Sequence, residues 1–99
     1  MNIQALMKQA QSLQKDMMKV KNEIDKKEFI GESSFVKAIV TGDKKIVKIE
    51  IANKEELGSD DMEILEDMIV VAINDAFSKV DKELEEKMGK FGNAIPSFF

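Results

Sequence analysis

The sequence predicts an α+β chain in which two long helices flank a three-stranded antiparallel meander, in the order α-β-β-β-α. Three observations carry that expectation. An apolar seam with alternating spacings of 3 and 4 runs from Ile3 to Ile24, uninterrupted by Gly or Pro. Short β-branched stretches with alternating polarity follow between residues 28 and 52. A broader apolar stripe of helical period then covers Met62 to Met88.

The first helix is expected over residues 2–27, with Ile3, Leu6, Ala10, Leu13, Met17, Val20 and Ile24 at a and d positions. At ~1.5 Å per residue it reaches about 39 Å, roughly the width of a small domain. A chain of 99 residues cannot bury that whole seam by itself. The helix must project or meet a second copy, so the chain looks like part of an assembly. On the outer face Lys8 and Lys15 fall at f, and Lys19 and Lys26 fall at c. These positions lie about 60° apart at ~100° per residue, so the ammonium groups form one stripe, with Asp16, Glu23 and Asp25 beside it. The stripe is either a solvated face or a rail for phosphates.

The sheet is expected over residues 28–52. Glu28 to Ser33 reads as a first strand, Phe35 to Thr41 as a second and Ile46 to Ile51 as a third. Val36, Ala38 and Val40 point one way, as do Val47, Ile49 and Ile51; Lys37, Thr41, Lys48 and Glu50 point the other. A four-residue loop, Gly42-Asp43-Lys44-Lys45, sets Lys37 opposite Glu50, whereas a two-residue loop would pair it with Lys48. Phe35, Ile39 and Ile46 stay apolar on the polar face, as scattered hydrophobes or as a patch for a partner.

The second helix is expected over residues 60–88. Ser59 or Asp60 caps it, and Asp60-x-x-Glu63 has the spacing of a capping box. Asp60, Asp61, Glu63, Glu66 and Asp67 suit the positive end of the helix dipole better than they suit a magnesium site. Met68, Val70, Val71, Ile73 and Phe77 leave little of the circumference polar, so that section is expected to be the most buried helix. Residues 89–99, with Gly89, Gly92 and Pro96, read as a loosely held tail of a single domain. Leu6, Leu13, Met17, Val20, Ile39, Ile69, Ile73 and Phe77 are the residues expected in the core or at a dimer contact.

With no Cys, His, Tyr or Trp, acid–base, nucleophilic and transition-metal chemistry lack their usual residues, and no enzyme, cofactor or small-molecule substrate is expected. No stretch resembles a signal peptide or a membrane span, which suits a cytoplasmic protein. The net charge of −4 hides an asymmetry: residues 1–54 hold 11 Lys against 7 acids, and residues 55–99 hold 4 Lys against 12 acids. All 15 basic residues are Lys, a point charge suited to phosphate more than to planar base recognition.

Leu6-Met7-Lys8-Gln9-Ala10-Gln11, Leu13-Gln14 and Met17 resemble the opening helix of the YbaB/EbfC family of bacterial nucleoid-associated DNA-binding proteins. Phe35 to Gly42 and Val47 to Ile51 resemble its central strands, and Asp61 to Asp67 with Ala72 to Ala76 its second helix. The resemblance implies an intertwined homodimer with projecting helices, binding double-stranded DNA at the nucleoid. It allows both helices to touch DNA, which adds Lys82 and Lys87 to Lys8, Lys15, Lys19 and Lys26; charge counting favours the first helix. The competing reading is a dimeric, coiled-coil-like interaction scaffold or a holdase chaperone, its seams lined by adaptable Met.

Overall fold

Asn2 starts the first helix. Its Oδ1 accepts the backbone N–H of Gln4 at 3.0 Å and of Ala5 at 3.4 Å, satisfying two of the donors a helix start leaves free. The computed structural model describes residues 2–94. In it α1 spans Ile3–Lys26, β1 Glu28–Ser33, β2 Val36–Thr41, β3 Ile46–Ile51 and α2 Met62–Met88. Short 3-10 turns at Lys54–Glu56 and Ser59–Asp61 lead into α2, and another, Gly89–Ala94, follows it. The expected α-β-β-β-α order holds.

The strands form one antiparallel sheet in the order β1-β2-β3. Lys37 stands opposite Glu50, as charge pairing predicts. The loop that achieves this differs from expectation. Thr41 N–H donates to Lys45 O at 2.9 Å and Lys44 N–H to Thr41 O at 2.8 Å, with Lys44 in the left-handed region at φ 63°. That is a three-residue loop, one shorter than expected. A β-bulge at Val47 absorbs the difference: Ile39 pairs with Lys48, but the next residue, Val40, pairs with Ile46. Ile46 therefore leaves the polar face and stands beside buried Val40. Phe35 departs from expectation too, packing on the cluster of Val36, Ala38 and Ala72.

The helix α2 lies across the sheet on its smallest residues. Gly31 and Ala38 are cross-strand partners, and Ala38, Ala72 and Ala76 are completely buried. A Cβ on Gly31 would stand 2.1 Å from Ala72 O and 2.3 Å from Ala76 N, so the backbones meet directly there. Two side chains of α2 also cover the free edge of β1. Asp75 Oδ2 accepts the Glu32 N–H at 3.0 Å, and Lys79 Nζ donates to Ile30 O at 2.6 Å.

Burial along α2 falls on Ala72, Ala76, Val80, Leu84 and Met88, every fourth residue. The helix is the more buried of the two, as expected, but its apolar belt at Met68–Phe77 is covered on one side only: Val70 and Val71 are 57% and 53% exposed. The start of α2 differs as well. Asp61, not Asp60, makes the capping contact, accepting the Gly58 N–H through Oδ2 at 2.9 Å, and no reciprocal box with Glu63 forms.

The helix α1 docks only by its last third. Met17 and Ile24 are buried with Phe29, Val40, Val80, Leu84 and Met88, while Val20, Phe77 and Phe91 pack at the margin. Every residue from Asn2 to Asp16 is exposed. Leu6 and Leu13 thus add nothing to the core of one chain, since sheet and α2 end before reaching them. Ile39, Ile69 and Ile73 are half-buried. The molecule is drawn out to 71 × 18 × 15 Å. The segment read as a tail opens with the 3-10 turn that seats Phe91 on the core; residues 95–99 lie outside the described residues.

Candidate nucleic-acid interface

The outer face of α1 is set by its inner one. Met17 and Ile24 at a positions face the core, which turns b, c and f to solvent. Lys8, Lys15, Lys19 and Lys26 are all exposed there, and none enters an ion pair among the described residues. From Lys8 to Lys26 the stripe runs about 27 Å at ~1.5 Å per residue. Of the acids beside it, Asp25 is matched by Lys21 in an i,i+4 pair. Four cations therefore stand in a row with no direct ion-pair partner, Asp16 and Glu23 lying on the flank.

Other lysines are committed inside the fold. Lys27 Nζ holds Glu83 at 2.7 and 3.0 Å and lies 5.4 Å from the Phe29 ring centroid. Lys44 reaches Asp81 at 2.7 Å and Lys79 reaches Asp75 at 3.5 Å. The first two contacts tie the end of α1 and the β2–β3 turn to α2, and the third lies within α2. Asp43 in that turn is held below the ordinary carboxylate range, chiefly by the Thr41 hydroxyl that donates to it and then by Lys45.

On α2, Lys82 and Lys87 are exposed and unpaired among the described residues, but Glu85 and Glu86 stand beside them. They do not join the α1 stripe into one field. Lys90 does approach it: it lines the same surface depression as Lys19, together with Asp16, Glu23 and Phe91. Sequence spacing missed Lys90 because the contact depends on how the end of α2 meets α1. Phe91, the aromatic ring beneath its ammonium at 5.2 Å, was the available signal.

This arrangement can bind a row of phosphates. Lysine ammonium groups on a straight helix meet a polyanion without demanding one base sequence. No helix among the described residues is long and apolar enough to cross a membrane.

Residues 1–95 match the YbaB/EbfC DNA-binding family. A nucleoid-associated protein of Ligilactobacillus salivarius is 42% identical over 98 residues, covering 97% of this chain and 93% of that protein. One from Enterococcus faecalis is 37% identical over 99 residues, covering 98% and 94%. One from Streptococcus pneumoniae is 41% identical over 98 residues, covering 97% and 98%. The crystal structure of an uncharacterized protein from Helicobacter pylori has the same fold, with a TM-score of 0.73 at 15% identity, covering 92% of this chain and 97% of that one.

Proposed function

Because the chain belongs to the YbaB/EbfC DNA-binding family, we propose that it is a nucleoid-associated homodimer that binds double-stranded DNA with low sequence specificity. The observation that carries this reading is the unpaired, exposed row Lys8–Lys15–Lys19–Lys26 on a projecting helix. Its ammonium groups release counterions from phosphate, which supplies most of the affinity. Lys90 extends the row, and Lys82 and Lys87 contribute less. No catalytic step is assigned to the protein; its effect on chromosome organisation or gene expression follows from occupancy of DNA in the cytoplasm.

The dimer is part of the same reading. Leu6 and Leu13 are 47% and 41% exposed in one chain, and Val70 and Val71 lie bare on α2. A second copy that covers this apolar surface leaves the lysine face free. A holdase clamp would use the same apolar surface; its grip on a client would be insensitive to salt.

Gel-shift titration of the full chain on unrelated duplexes, at two salt concentrations, tests the proposal. Lys8→Glu with Lys15→Glu weakens binding to a similar degree on every duplex, and each lost phosphate contact flattens the log–log salt slope by about 0.9. Lys82→Glu with Lys87→Glu does less. If the second pair abolishes binding and the first does not, the α1 stripe is a solvated face and the DNA site lies on α2.

A further inference from the structure

The lysines of α1 are not alone on their face. Between them, at outward b and f positions, stand Gln11, Met18 and Asn22, all exposed. Among the described residues, none of these three side chains makes a hydrogen bond, so both amides are free to bond a ligand. Gln11, Lys15, Met18, Lys19, Asn22 and Lys26 line one open depression along the helix, with Asp16 and Glu23 on its flank. Resting on the reading above that α1 meets duplex DNA, we propose that this strip reads base edges in the major groove and favours A·T pairs.

The chemistry selects the base. Gln and Asn present a donor and an acceptor side by side, which match the N6 amino group and N7 of adenine. Arg, the usual bidentate reader of guanine, is absent from the chain, and the Lys stems flank the amides where the phosphates of the groove edges would lie. Met18 offers an apolar group to a thymine methyl. Asp16 and Glu23 line the same depression from its g flank, so a carboxylate contact to cytosine N4 is the competing readout that the G·C duplex tests.

The geometry selects the groove. A helix about 10–12 Å across with its side chains matches a major groove ~12 Å wide, while a minor groove of ~6 Å excludes it. Gln11 and Asn22 are about 16 Å apart along the axis at ~1.5 Å per residue, close to five base-pair steps at ~3.4 Å. The seam that a second copy would cover lies on the other side of the helix. Base reading therefore adds a bias to phosphate binding without replacing it. One amide–adenine contact corresponds to about five-fold or more in affinity, far below the thousand-fold and greater ratios of site-specific regulators.

Competition titrations of the full chain decide the matter, with duplexes of equal length whose central six pairs are A·T, G·C or inosine·C. Inosine·C keeps the minor groove of A·T but shows the major groove of G·C. The expected result is A·T bound about five-fold or more tighter than both others, with Gln11→Ala plus Asn22→Ala lowering the A·T affinity to the G·C level. Both side chains are exposed, and a circular dichroism melt checks that the variant folds as the parent does. Equal affinity for A·T and inosine·C overturns the proposal, because it places the bias in the minor groove. Salt-steep binding with no preference, or a preference for G·C, overturns base reading by the amides and leaves phosphate binding standing. Absence of duplex binding overturns both.

Discussion

The two helices are nearly equal in length, 24 residues for α1 and 27 for α2, yet the fold treats them in opposite ways. The helix α2 is buried at five positions, is pressed backbone to backbone on β1 and carries Asp75 and Lys79 into the edge of the sheet. The helix α1 is buried at Met17 and Ile24 and otherwise stands in solvent. Stability resides mainly in the first, and the exposed lysine row lies on the second. The same repeat of apolar residues thus has two outcomes: where a sheet is within reach it builds core, and where none is, it stays exposed.

The largest test of this contrast is Gly31→Val. Its Cβ would fall 2.1 Å from Ala72 O, and backbone cannot yield as a side chain can. We expect a loss of more than about 3 kcal/mol, read as failure to fold in thermal melts. At Gly58 the nearest atom to a new Cβ is Asp61 Oδ2 at 3.9 Å, so Gly58→Ala should barely move the melting temperature.

A second test sets one residue of each helix against the other. Met88 is completely buried, so Met88→Ala should cost about 2–5 kcal/mol in denaturant unfolding. On the proposed dimer, Leu13→Asp should instead change the sedimentation coefficient to that of a monomer while the far-ultraviolet helical signal persists. If Leu13→Asp unfolds the chain, α1 is as much a part of the core as α2.

These tests also mark how far the sequence was legible. The seam of Ile3 to Ile24 predicted a helix too long for its own chain, and the projecting α1 is that helix. Lys37 and Glu50 identified their register by charge alone. What escaped was whatever depends on close approach between distant elements. Gly31 and Ala76 are unremarkable in sequence, and only the packed helix brings their backbones into direct contact. Likewise the apolar belt of α2 is covered on one side only, because periodicity counts apolar faces and cannot count the surfaces available to cover them. At the candidate site, helical phase placed Lys8, Lys15, Lys19 and Lys26 on one face. It could not tell that Lys27 and Lys44 are committed to Glu83 and Asp81.

The smallest expected effect lies where the two helices join. The β2–β3 turn abuts the end of α1: Gly42 N–H donates to Lys27 O at 3.0 Å, and a Cβ on Gly42 would lie 1.8 Å from Ile24 O. Asp43 steadies this turn through Thr41. Its folded pKa lies below the ordinary 3.8, so its contribution is present above that value and is lost as pH falls through the folded pKa. Thr41→Val should raise the titration midpoint of Asp43, followed by NMR of its carboxyl carbon. An unchanged midpoint would mean that the hydroxyl does not hold the carboxylate.

The way Asp75 and Lys79 cover β1 also limits what the sheet can become. A three-stranded sheet has two margins at which backbone groups could recruit another strand. One margin already has its N–H of Glu32 and its C=O of Ile30 occupied from above, whereas β3 has no such cover among the described residues. The two margins are therefore unequal in backbone pairing, β3 being the more open. Two copies joined at β3 would use up each other's more open margin, which disfavours accretion by that route beyond a pair.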